Sequence, residues 1–143
     1  MSSENSQSYL DQLIGTPFRA TILVQDGISK MDYSVFVEKL KKPLSPIEDL
    51  LHMGVGASGE VSGELLDAIK AHYYYGKPLD RENVVEEIGD AIFYLQGIMN
   101  NIGASWEEVI DSNVAKLTKR YHKLHFSQGQ ATERADKNAN AES

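Results

Sequence analysis

A chain of 143 residues, 41% of them hydrophobic and 24% charged, has the make-up of about one globular domain, which excludes wholesale disorder and collagen-like repeats. Cysteine is absent, which removes disulfides, thiolate zinc sites, iron–sulfur clusters and a cysteine nucleophile. Fourteen basic residues against 21 acidic ones leave a net charge of −7, a poor footprint for duplex nucleic acid but compatible with phosphate binding through a divalent cation.

Residues 1–9 are polar and lack the basic-then-apolar pattern of a leader. The longest charge-free run, 91–106, is shorter than the ~20 apolar residues of a membrane span. The expectation is a cytoplasmic protein with no membrane or duplex partner. Residues 20–24 read as a short extended piece and Asp26-Gly27 as a turn. Residues 31–41 form a short amphipathic helix, with Tyr33, Val37 and Leu40 on one stripe and Phe36 beside them. Pro43 and Pro46 break the chain.

Ser45 is placed to cap a second helix, with Pro46 in its first turn. That helix runs over 47–75 and stops at Gly76-Lys77-Pro78. Its middle holds Gly54, Gly56, Ala57, Ser58, Gly59, Ser62 and Gly63, which predicts a kink or a close helix–helix approach. Asp80 caps a third helix over 81–101, with a broad apolar face including Ile88, Ala91, Leu95 and Met99, ended by Gly103. Ser105-Trp106-Glu107-Glu108 is a capping-box pattern opening a fourth helix over 106–124, with Ile110, Val114, Leu117, Tyr121 and Leu124 as its stripe. After Phe126 the sequence turns polar and reads as a tail or a weakly docked segment. The fold expected is all-α, an antiparallel bundle with a four-helix core completed or extended by oligomerisation. Its parts are an N-terminal extension (1–45), the helical domain (46–126) and the tail (127–143).

The acids are placed for chemistry. Glu60 and Glu64 are four apart, and Asp67 follows three later, so all three share a stripe. Glu87 and Asp90 share a face of the third helix, with Glu86 next in sequence. Antiparallel neighbours joined by a short loop bring these stripes together as a carboxylate cluster. Like charges at close range repel, and a bound cation relieves them. All-oxygen ligands favour magnesium, manganese or calcium, and magnesium keeps positions open for phosphate oxygens. The competing reading is solvated surface charge. On the fourth helix Asn113, Lys116 and Arg120 share a face, with Lys119 and Lys123 nearby. This stripe is either a phosphate contact or a cationic complement to the helix dipole. Tyr73, Tyr74, Tyr75 and Trp106 are either base-stacking groups or core and interface aromatics. The Glu-x-x-His pairs of a di-iron bundle are missing.

Gly59-Glu60-Val61-Ser62-Gly63-Glu64-Leu65, then Asp67-Ala68-Ile69-Lys70, then Glu86-Glu87-Ile88-Gly89-Asp90-Ala91-Ile92-Phe93-Tyr94-Leu95 resembles the MazG-like all-α nucleoside triphosphate pyrophosphohydrolases. Asn113-Val-Ala-Lys116-Leu117 with Arg120-Tyr121 resembles that family's closing helix. The likeness covers about residues 47–126. It implies magnesium-dependent cleavage of an NTP or dNTP to the monophosphate and pyrophosphate, manganese being the other candidate cation. It implies Glu64, Glu87 and Asp90 as metal ligands, and Asn113, Lys116 and Arg120 as phosphate contacts. It also implies a homodimer or homotetramer. The first motif departs from the family pattern, which has Glu where this chain has Val61. Glu60, one position earlier, is about 100° away on a helix, and it is the substitute ligand. Glu60 or Glu86 is the carboxylate to orient or deprotonate the water. Two alternatives stay open: a non-catalytic helical interaction module, and a phosphohydrolase of another nucleotide.

Overall fold

A computed structural model describes residues 21–23 and 30–138. The expected Asp26-Gly27 turn lies outside the described residues. Two short strands, β1 (Thr21–Leu23) and β2 (Lys30–Asp32), pair antiparallel with Thr21 opposite Asp32 and Leu23 opposite Lys30. The rest is helical: α1 (Tyr33–Leu40), α2 (Pro46–Gly59), a π-helical segment (Glu60–Leu65), α3 (Leu66–Tyr75), α4 (Arg81–Ile102), α5 (Trp106–Arg120), α6 (Gln128–Glu133) and α7 (Ala135–Asn138). The chain is all-α, as expected, and the β1–β2 pair is a minor addition. Its contacts divide it into one unit ending at Gly103 and a second beginning at Ala104. Among the described residues no helix is long and apolar enough to cross a membrane.

Local chemistry sets the helix ends. Ser45 and Glu48 form a reciprocal capping box at the start of α2, with Pro46 in the first turn. Asp80 Oδ1 accepts from the Asn83 N–H at 3.1 Å, and Ser105 Oγ accepts from the Glu108 N–H at 3.1 Å. Gly76 and Gly103 close α3 and α4 in the left-handed region, at φ +62° and +69°.

Two expectations need correction. The first helix begins at Tyr33, because Met31 and Asp32 are taken into the ladder with β1. The fourth helix stops at Arg120, not residue 124. Tyr121 leaves helical geometry and its ring turns toward Phe126, 6.2 Å between centroids, while Leu124 takes φ +52°. The polar segment after Phe126, read as a tail or a weakly docked segment, is helical in part. It forms α6 and α7, and Asp136 takes Arg120 as a bidentate partner at 2.8 Å through both Nε and one terminal nitrogen.

In the first unit α2 packs antiparallel on α4, and the contacts form a ladder. Asn101 Nδ2 reaches the Pro46 carbonyl at 2.8 Å and Asp49 Oδ2 at 3.0 Å. Met53 lies against Gly97, and Tyr94 lies over Gly56. A Cβ at Gly56 would stand 2.2 Å from Tyr94 Cε1, so the glycine is what permits this approach. Of the two readings of the small-residue run, the structure shows the close approach, at Gly56, and the helix changes pitch at residue 60. Gly56→Ala should cost about 1–3 kcal/mol by overpacking and drive α2 away from α4. Thermal denaturation with and without a divalent cation checks this; both the melting temperature and the cation-induced shift should fall.

The core of this unit is Val37, Met53, Ala91 and Met99, with Gln96 and Asp49 as buried polar members. Lys41 carries α1 into it. Its ammonium pairs with Asp49 Oδ2 at 2.6 Å and with Glu38 at 3.2 Å, and it donates to the Gly97 carbonyl at 3.5 Å. Asn100 Nδ2 ties the same helix down through the Ser34 carbonyl (2.8 Å) and Glu38 Oε2 (3.1 Å).

Candidate metal centre

One rung beyond Gly56 and Tyr94, the ladder brings acids together. Glu60 opens the π segment; Glu87 and Asp90 stand a turn apart on α4. One carboxylate oxygen from each lies within 4.8 Å of the others. Glu60 and Glu87 are half-buried and Asp90 is exposed. The set draws on two helices whose approach is fixed by a glycine and an aromatic ring, so its spacing is built by packing.

The wider π turn coincides with the motif's departure from the family pattern. Its hydrogen bonds span five residues instead of four. The Ser62 hydroxyl donates to the Ser58 carbonyl four residues back, a contact that bends helices. The structure puts Glu60 with the acids of α4 and leaves Val61 exposed. Glu64 lies outside the tightest group with its side chain exposed, yet its charge reaches Glu87. Glu86 is exposed beside the group.

Electrostatics mark Glu87. Burial first, then the charges of Glu64, Glu60, Asp90 and Glu86, hold its carboxyl above the usual carboxylate value. A hard divalent cation is the group that reverses this. Three converging oxygens in a half-open setting match what magnesium or manganese takes, and neither thiolate nor imidazole belongs to the group.

Residues singled out elsewhere are placed differently. Asn113, Lys116 and Arg120 lie on α5 in the second unit. Asn113 and Lys116 are exposed. Arg120 presents its fork to Asp136, whose carboxyl it holds at about 2, and that fork is the face a phosphate would use. Tyr73, Tyr74 and Tyr75 are 69–78% exposed at the end of α3, so they are not core residues.

Tyr33 reads in the sequence only as part of an amphipathic stripe. In the structure its ring is half-buried, and burial, then the charge of Asp90, raise its phenol pKa. No helical period connects residues 33 and 90.

Comparison with known families supplies the remaining finding. The MazG nucleotide pyrophosphohydrolase domain model matches residues 56–125. Neither the comparison with curated proteins nor that with solved structures returned a match. The matched segment contains Gly56, all the clustered acids and the α5 stripe. Residues 56–125 of this all-α chain therefore belong to the MazG nucleotide pyrophosphohydrolase domain family.

Proposed function

We propose that the protein is a magnesium-dependent nucleoside triphosphate pyrophosphohydrolase, converting an NTP or dNTP and water to the monophosphate and pyrophosphate. The convergence of Glu60, Glu87 and Asp90 within 4.8 Å carries this reading, in a segment matched by the pyrophosphohydrolase family. These three residues would hold the cation, with Glu64 completing the set from the π segment. Magnesium, or manganese in its place, supplies charge neutralisation for the phosphates and polarisation of the α–β bridge. Glu60 and Glu86 are the carboxylates proposed to orient or deprotonate the attacking water; Glu60 stands inside the cluster and Glu86 at its exposed edge. Asn113, Lys116 and Arg120, on α5 in the second unit, are proposed as phosphate contacts from the motif likeness alone.

The test is an assay of the full chain against canonical and modified NTPs and dNTPs, with and without magnesium. Monophosphate and pyrophosphate are read separately from orthophosphate. Magnesium-dependent monophosphate with pyrophosphate is expected. Orthophosphate alone, or no turnover by folded protein, overturns the reading. Turnover confined to another class of phosphorylated nucleotide moves the assignment to a related phosphohydrolase.

A specific observation supports a homo-oligomer and also keeps the interaction-module reading in play. Ile47, Leu51 and Val55 lie on one stripe of α2 and are 73%, 69% and 64% exposed. An apolar stripe of that kind marks an interface. We expect light scattering to give the mass of a dimer or tetramer, and Leu51→Glu to reduce it toward the monomer. A monomeric wild-type protein would count against the oligomer.

A further inference from the structure

We propose that α7 is an intramolecular inhibitor of phosphate binding: Asp136 occupies the Arg120 fork in place of a substrate phosphate, and substrate displaces it. The proposal rests on the pyrophosphohydrolase reading, in which Arg120 contacts phosphate, and adds the regulation of that contact. Every element it uses lies in the second unit. Arg120 Nε and one terminal nitrogen donate to the two oxygens of Asp136, each at 2.8 Å, and the Asp136 side chain is 3% exposed. A guanidinium takes carboxylate and phosphate through the same pair of parallel bonds, so the two compete for this edge of Arg120. Arg120 lies within the matched segment 56–125 and Asp136 beyond it. The competing carboxylate is therefore supplied by chain outside the family domain.

The segment that brings Asp136 back onto α5 is built to let go. Between α5 and α7 the chain passes through two non-glycine residues in the left-handed region, Leu124 at φ +52° and Arg134 at φ +51°. Such residues persist only where the surrounding contacts hold them. Arg134 is the step from α6 to α7, two positions before Asp136. Leu124 and Phe126 are 79% and 70% exposed, and a half-open cavity of about 360 Å³ opens between them and the Leu117 and Tyr121 side chains. The returning chain is thus loosely packed on α5. Four residues of α7 do not make a helix that stands alone. The bidentate pair ties it down, and a phosphate that takes the fork removes that tie.

The test uses the full chain with Asp136→Asn, Arg120→Gln and the two combined. Readouts are steady-state kinetics over the nucleotide panel, calorimetric binding of magnesium tripolyphosphate, and amide hydrogen exchange over residues 128–138. We expect Asp136→Asn to lower KM and the tripolyphosphate Kd by about tenfold, the worth of one charge-assisted contact, with kcat within about twofold. The gain should disappear when Arg120→Gln is added. In the wild type, saturating tripolyphosphate should speed exchange over 128–138, because displacement is reciprocal. A merely structural ion pair would leave that exchange unchanged. If Asp136→Asn does not fold, Asp136→Ser takes its place with the same expected result. A tripolyphosphate Kd that Asp136→Asn leaves unchanged or raises, or a gain that survives Arg120→Gln, overturns the proposal and leaves the pyrophosphohydrolase reading standing. A wild type that turns over no nucleotide overturns that reading, and binding and exchange then decide the competition at Arg120 by themselves. No tripolyphosphate binding by any of the proteins overturns the proposal.

Discussion

Glu87→Gln is expected to abolish activity and, in the absence of a cation, to make the protein more stable. Burial and four neighbouring acids hold the Glu87 carboxyl above its ordinary value of 4.5. A carboxyl raised in the folded state favours the fold while protonated. That advantage disappears as pH rises through the folded value, and at pH 7 the charged form opposes folding. Glutamine removes the charge and keeps the shape. The metal-free melting temperature at pH 7 should therefore rise by a few degrees, and its decline with increasing pH should flatten. The same substitution removes an oxygen donor from the cluster. Turnover should fall at least about 100-fold, since even supporting partners of metal ligands are worth 10–100-fold. The magnesium-induced thermal shift should vanish with it. Thermal scans with and without magnesium, run beside the pyrophosphate assay, check both halves. A variant that keeps turnover, or melts below wild type without metal, contradicts the role given to Glu87.

Lys41→Met should be the most destabilising of the single changes named here that leave the acids untouched. Lys41 and Asp49 are each 7% exposed at the side chain and 2.6 Å apart. Burial pushes the Asp49 carboxyl up, but the bonds from Lys41 and Asn101 outweigh it and hold it below 3.8. Burial likewise works against the Lys41 charge, and its bonds to Asp49 and Glu38 raise it above 10.5. The pair thus stabilises the fold over the whole range between those values. Its contribution is lost as pH falls through the Asp49 folded value or climbs through that of Lys41. Removing the lysine leaves a buried carboxylate whose Oδ1 already has no hydrogen-bond partner. The cost expected is about 3 kcal/mol, a melting temperature lower on the order of 10 °C. The double variant Lys41→Met/Asp49→Leu should recover most of it, because replacing both charges removes the orphan. Thermal denaturation of the three proteins decides this; a Lys41→Met protein as stable as wild type would show the pair to be dispensable.

Much of this architecture is written in short-range signals. Ser45-Pro46, Asp80, Ser105, Gly76 and Gly103 each act within one turn, and each sits where a helix begins or ends. The acids were legible for the same reason: Glu60 with Glu64, and Glu87 with Asp90, are helical neighbours in spacing. What escaped depends on distant partners. Met31 and Asp32 fall inside the predicted helix over 31–41 but are claimed by β1. Tyr121 and Leu124 continue the α5 stripe, yet the chain turns to bring Phe126 to Tyr121. The pairings of Lys41 with Asp49 and of Arg120 with Asp136 span 8 and 16 positions, and no local period announces them. The ranking of the glutamates also changed. The family motif made Glu60 only a substitute ligand, whereas the structure brings it into the tight group and leaves Glu64 outside.

The π segment confines that change to one stretch of the long helix. Val61 stands where the family pattern has Glu, and the widened turn over residues 60–65 is where Glu60 joins the acids of α4. Packing at Gly56 and Met53 stays in phase with α4 on one side, and α3 continues from Leu66 on the other. Residues 60–65 thus widen one turn without interrupting the run from α2 into α3, in the same stretch that carries Glu60 and Glu64.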